Sequence, residues 1–133
     1  MHTAIDTMKR LPFGIEIECV GLERARLAAA IQGALGGDAT HDYRGSQVTD
    51  AKQRVWRIVP DGSLSDGQYS GEIVSPILRY EDLDDLQTLV RAVRTAGARA
   101  NSSCGIHYAR QVVMRGPRCD AFVPRFVHVC SRS

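Results

Sequence analysis

Four short motifs carry the side chains best suited to chemistry: E-x-E at 16–18, D-G-S at 61–63, G-E-I-V-S-P at 71–76 and C-G-I-H at 104–107. The first lies in the apolar run FGIEIECV, which is typical of a strand. Residues two apart in a strand point to the same face, so Glu16 and Glu18 are predicted to lie side by side. Their charges would repel each other unless a cation lay between them.

The remaining motifs add donors of the same kind. Glu72 is a further carboxylate in a short apolar segment, Asp61 begins a turn that Ser63 closes, and His107 ends the last motif. Carboxylates with one histidine suit Mg²⁺ or Mn²⁺ and, through the metal, the phosphates of a nucleotide. The residues therefore indicate a metal and nucleotide site.

Each motif also has a simpler explanation when it is taken alone. Glutamates two apart are typical of the solvent face of an amphipathic strand, with Ile15 and Ile17 on the buried face. Asp61 would form a tight turn by bonding its own backbone. Glu72 would be an edge charge and His107 a structural histidine. Only the joint occurrence of the motifs favours a site.

Apolar periodicity predicts the elements that would position these motifs. Strands are predicted at FGIEIECV, THDYRGS, RVWRIVP, GEIVSPIL and the end of SSCGIHYARQVVM, and helices at 21–37 and 80–100. In the second helix, Leu83, Leu86, Leu89 or Val90, and Val93 would form one apolar face. The order β-α-β-β-β-α-β predicts an α+β fold with an antiparallel or mixed sheet and helices on one face.

Bulk composition fits one soluble, cytoplasmic domain of 133 residues with 44% hydrophobic content. No apolar run is long enough to cross a bilayer, and the N-terminus lacks the features of a signal peptide. Residues 108–133 hold five arginines against the single acid Asp120. A basic tail can contact nucleic acid, but the slightly acidic body of the chain argues against that function.

The four cysteines, at positions 19, 104, 119 and 130, form no CxxC pair. They are most simply reduced thiols in a cytoplasmic protein. A zinc site of Cys104, His107, Cys119 and either His128 or Cys130 is a weaker alternative, because its spacings match no familiar zinc module.

Five segments, taken in order over roughly residues 12–107, resemble the putative amidoligase family. They are FGIEIE, PDGSL, GEIVSPIL, an amphipathic helix ending in GA, and NSSCGIH. This family is related to glutamine synthetase and the glutamate–cysteine ligases. The resemblance implies a glutamine-synthetase-like sheet that holds Mg²⁺ or Mn²⁺ and ATP. It implies a reaction in which ATP phosphorylates a carboxylate and an amine then attacks the acyl phosphate.

Carried over to this chain, the resemblance implies metal ligands at Glu16, Glu18, Glu72 and His107, with Glu16 and His107 also contacting the nucleotide. Glu72, Asp61 and Ser63 would act on the substrate side. The partners would be small-molecule or peptide carboxylates and amines.

The chain departs from the family after His107. The family continues with a second histidine two positions on, where this chain has Ala109, and its members are longer. We therefore expect residues 1–107 to be the N-terminal part of a catalytic domain and residues 108–133 to be an atypical basic tail, which either results from truncation or a frameshift or is a flexible tail. The alternatives to a ligase are a non-catalytic binding module and a fragment that associates with itself or another chain to cover an open sheet edge.

Overall fold

The structure is a computed structural model that describes residues 3–62, 67–110 and 125–129, with side chains omitted at 109–110 and 125–129. Its described strands are β1 Phe13–Val20, β2 Asp38–Asp42, β3 Gly45–Thr49, β4 Val55–Val59, β5 Ser70–Val74, β6 Ile106–Arg110 and β7 Arg125–Val129. Its described α-helices are α1 Ala4–Lys9, α2 Arg24–Leu35 and α3 Leu83–Ala96. Short 3₁₀ turns occupy Gly67–Tyr69 and Tyr80–Asp82.

The described strands form one antiparallel sheet in the order β2-β3-β4-β5-β1-β6-β7. β1 therefore lies between β5 and β6, although β5 begins 50 residues after the end of β1. α2 packs on β3, β2, β4 and β5, and α3 packs on α2. The predicted α+β fold with helices on one face is confirmed, and the sheet is antiparallel throughout the described strands.

The core lies between the sheet and α2, and buried residues of α3 extend it. Alternate residues of the central strands point towards the helix, and they include Trp56, Ile58 and Ile73, which are almost completely buried. Ile15 and Ile17 pack against the same core, as predicted for their face of β1. Glu16 and Glu18 are consequently on the opposite face, which we call the far face of the sheet.

One glycine lets α2 approach the sheet, and two more form the turn after this helix. A Cβ at Gly71, on β5, would lie 3.1 Å from side-chain carbons of Arg24 and Leu27, so the absence of a side chain lets α2 pack closely on the strand. After α2 the chain turns through Gly36 and Gly37, both with positive φ, which is typical of glycine at the end of a helix.

Some local predictions need correction. α3 buries Leu86, Leu89 and Val93, but Leu83 and Val90 are exposed, so the apolar face is narrower than predicted. Apolar periodicity did not predict α1, the pairing of β3 with β2, or β7, whose Arg125–Val129 pairs with β6. None of the described helices has the length and apolar character that a membrane span requires.

Candidate metal centre

The central strands bring the predicted residues together through their register. Glu18 on β1 lies directly opposite Glu72 on β5, and Glu16 lies directly opposite His107 on β6. Directly opposed residues in an antiparallel pair share a face, so all four side chains are on the far face. Asp61 follows the end of β4, the strand that pairs with β5 on its other side.

Two groups of side chains in the described residues could each hold a metal ion. The first is Glu16, Glu72 and His107, and the second is Glu18, Asp61 and Glu72. Within each group, the candidate ligand atoms lie within 4.8 Å of one another. Glu72 belongs to both groups, so the two form one continuous cluster, which we call the carboxylate cluster.

Contacts with His107 tie the cluster together across β1 and β6. The His107 Nδ1 atom lies 3.5 Å from Glu16 Oε2 and 3.7 Å from Glu18 Oε1. Glu18 is only 8% exposed, whereas the side chains of Glu16 and His107 retain partial access to solvent. A buried glutamate does not fit the simpler explanation that the pair forms a solvated strand face.

Glu72 is partly buried and lies close to three other carboxylates, and both features affect its pKa. The pKa of Glu72 is raised to about 7, first by burial, and then by the carboxylates of Glu16, Asp61 and Glu18 and a hydrogen bond with Asp61. Nearby like charges disfavour ionisation because each new negative charge is repelled by the others. A divalent cation between these oxygens would remove that cost, and oxygen donors with one histidine suit Mg²⁺ or Mn²⁺.

The structure thus brings together Glu16, Glu18, Asp61, Glu72 and His107, and Ser63 lies outside the described residues. Cys119 and Cys130, from the alternative zinc site, also lie outside them, and Cys104 belongs to neither candidate group. His128 lies opposite His107 in the pairing of β7 with β6, and only its backbone is described.

Sequence reasoning missed a basic neighbour of this cluster. Arg57 on β4 pairs with Val74, and Val74 pairs with Glu16, so the arginine lies in the same row across the sheet. The alternation of Trp56 and Ile58 with Arg57 in a strand puts Arg57 on the opposite face from those two residues. Its distance from Glu16 depended on strand order, which alternation does not reveal.

In a comparison with protein families, residues 9–108 match a family described as "Putative amidoligase enzyme". The match includes β1 through most of β6 and all five side chains of the carboxylate cluster. No curated protein and no solved structure gives a significant match.

Proposed function

Because the chain belongs to the putative amidoligase family, we propose that it is, or is the N-terminal part of, an ATP-dependent ligase that joins a carboxylate to an amine. The observation that supports this most directly is the carboxylate cluster, in which two groups of metal-compatible ligand atoms share Glu72. The superfamily relation to glutamine synthetase is part of the proposal.

The proposed reaction has two steps. A carboxylate oxygen of the substrate attacks the γ-phosphorus of ATP, and ADP leaves with the electrons of the broken P–O bond. The amine nitrogen then attacks the carbonyl carbon of the acyl phosphate, phosphate leaves, and the nitrogen loses a proton to give the amide. Both steps place negative charge on phosphate oxygens, which carboxylates alone would repel.

The chain's residues would contribute through their positions on rigid strands. Glu16, Glu18, Glu72 and His107 would hold Mg²⁺ or Mn²⁺, with His107 orienting the Glu16 carboxylate. A divalent cation held there would neutralise phosphate oxygens and the charge that develops on them. Asp61, hydrogen-bonded to Glu72 at the edge of the cluster, would orient the substrate side, with Ser63 in the same turn as a further candidate.

Metal binding provides the first test. Mn²⁺ titrated into the full chain should bind and raise the melting temperature, and Glu18→Gln should reduce this effect because it removes a buried charged ligand from one of the two groups. Glu81→Gln is the matched control, since Glu81 is an exposed glutamate outside both groups. Equal Mn²⁺ binding by all three proteins would refute the proposed metal ligands.

The chemistry has a separate signature. If a carboxylate attacks ATP, an ¹⁸O-labelled carboxylate substrate must transfer one labelled oxygen to the phosphate that is released. Screening carboxylates and amines for ATP-dependent phosphate release, followed by this isotope measurement, tests the acyl phosphate directly. Release of unlabelled phosphate alone would contradict it.

A second candidate function follows from the departure at position 109, where the chain has alanine rather than the family's histidine. In this candidate, the cluster binds a metal and an anionic ligand without turnover. Tight Mn²⁺ and nucleotide binding together with no phosphate release across the substrate screen would favour this binding module over the ligase.

A further inference from the structure

A polar cleft adjoins the carboxylate cluster on the far face of the sheet. Its volume is about 290 Å³, and β2, β3, β4 and the turn between β2 and β3 form its walls. Its lining includes Thr40, Asp42, Arg44, Gln47, Arg57 and Val59. Val59 pairs with Glu72 on the neighbouring strand, so the cleft begins where the cluster ends.

The charge of the far face changes sign between these two regions. The β5–β1–β6 region carries the glutamates, whereas the cleft carries two guanidinium groups, Arg44 and Arg57. Asp42 is the acid among the described lining residues, and its carboxylate accepts a hydrogen bond from the Arg44 backbone N–H at 2.7 Å. The Arg44 side chain is engaged by the Tyr43 hydroxyl at 3.0 Å.

Arg57 differs from Arg44 in having its guanidinium available. It is exposed, and within residues 3–62, 67–110 and 125–129 no hydrogen bond or ion pair engages its side chain. The arginine that is more buried, Arg54, binds three carboxylates in the same structure. A planar guanidinium with five N–H donors is well matched to a carboxylate or phosphate, which it can bind through two hydrogen bonds.

The register fixes how far this guanidinium lies from the cluster. Arg57, Val74 and Glu16 occupy successive positions of one row, so Arg57 and Glu16 are two strand spacings apart, or about 10 Å between backbones. An arginine side chain can extend across part of that distance. A ligand that contacts both regions therefore needs two anionic groups separated by a short spacer.

Building on the proposed function, we propose that Arg57 anchors an oxyanion of the bound ligand, while the carboxylate cluster and its metal hold a second anionic group. The shared chemistry is a carboxylate or a phosphate. A nucleotide would supply it from its phosphate chain, and an acceptor substrate would supply it from a second carboxylate beside the one that reacts.

Binding to the full chain distinguishes these sources. Calorimetric titrations with pyrophosphate represent the phosphate source, and titrations with succinate, glutarate and adipate represent dicarboxylates of increasing length. Each is measured with and without saturating Mn²⁺. Arg57→Gln should bind Mn²⁺ as the wild type does, yet bind the effective probe about tenfold or more weakly. The probe affinity of Arg57→Lys should fall between those of the wild type and Arg57→Gln, because lysine keeps the charge without the planar guanidinium.

Arg91→Gln is the matched control, since Arg91 is an exposed arginine on α3 and should leave probe binding unchanged. Equal probe affinity of the wild type and Arg57→Gln, or no probe binding by the wild type in either condition, would overturn the subsite. Failure of Mn²⁺ to bind the wild type would instead overturn the proposed metal centre. The metal-free titrations would still report on Arg57.

Discussion

Glu18 and Glu72 lie directly opposite each other on neighbouring antiparallel strands, with both side chains on the face of the sheet away from α2. Like charges in that position destabilise a sheet. Burial, together with the negative charges of Glu16, Asp61 and Glu18, raises the pKa of Glu72 to about 7. The sheet therefore holds a local electrostatic cost at its centre that a bound cation would relieve.

A first prediction concerns the pH dependence of stability without metal. Because the folded pKa of Glu72 is raised from 4.5 to about 7, the native state binds more protons than the unfolded state between those values. The contribution of Glu72 to stability is thus fully present below pH 4.5 and is lost as the pH rises through 7. In EDTA, Glu72→Gln should melt like the wild type at pH 4 and at a higher temperature at pH 8. Parallel melting curves across this range would contradict the shift.

A second prediction uses the shared position of Glu72. Because Glu72 belongs to both candidate groups, Glu72→Gln should weaken all Mn²⁺ binding by at least the roughly 10- to 100-fold that loss of an outer-shell partner costs. His107→Gln removes a donor from the first group only and should mainly weaken Mn²⁺ binding there. Asp61→Asn removes a donor from the second group only and should mainly weaken binding there. Electron paramagnetic resonance of bound Mn²⁺ measures the stoichiometry. A smaller effect of Glu72→Gln than of either other variant would exclude a shared ligand.

A third prediction concerns an ion-pair network on the other side of the molecule. The Asp50 side chain is 1% exposed and accepts hydrogen bonds from Arg54 and from Trp56 Nε1 at 2.9 Å each. Arg54 also bonds Asp82, immediately before α3, and Asp85 in the first turn of that helix. Arg54→Met would leave a buried carboxylate without its cation, at a cost of about 3–5 kcal/mol in the free energy of unfolding.

The control for that network is Lys52→Met. Lys52 bonds Asp85 at 2.7 Å, but its side chain is 63% exposed, so its loss should cost no more than about 1 kcal/mol. Urea unfolding measures both values. Mn²⁺ affinity should be unchanged in each variant, because the network lies outside the carboxylate cluster. Equal losses of unfolding free energy in Arg54→Met and Lys52→Met would contradict the prediction that burial makes the Arg54 interactions more important to stability.

A fourth prediction compares two glycines near the end of α2. Gly37 has φ of 85°, and a Cβ there would lie 1.8 Å from the Thr49 carbonyl oxygen, so Gly37→Ala must displace backbone and should destabilise the fold by more than 1 kcal/mol. Gly33 is exposed within the helix, with no atom within 4 Å of an added Cβ. Gly33→Ala should stabilise by about 0.5–1 kcal/mol. Thermal melts that shift in the same direction would contradict this contrast.

The sequence by itself determined the elements whose pattern is local. Alternation placed Glu16 and Glu18 on one face of β1 and Ile15 and Ile17 on the other, because the side-chain period of a strand is two. Local apolar patterns also located the two long helices, α2 and α3, and the strands that carry Glu72 and His107. Membership of the amidoligase family was also readable from the order of the motifs and is confirmed by the match over residues 9–108.

Local patterns were less informative where packing partners decide the outcome. Val90 fits the apolar spacing of α3 but is exposed, because α3 packs on α2 over a narrow face. The segment 45–49 has only Val48 as a large apolar residue, so β3 was not predicted, yet its pairing with β2 and β4 makes it a strand. In β-structure such cross-strand context outweighs intrinsic preference.

Only the tertiary structure decided which side chains meet. Strand order is set by contacts between distant parts of the chain, and register by which residues those strands bury, so neither can be read from a single segment. Burying Ile17 and Ile73 in the same core places Glu18 opposite Glu72 on the far face. The pairings of β1 with β6 and of β4 with β5 bring Glu16 beside His107 and set Arg57 two strands away from Glu16.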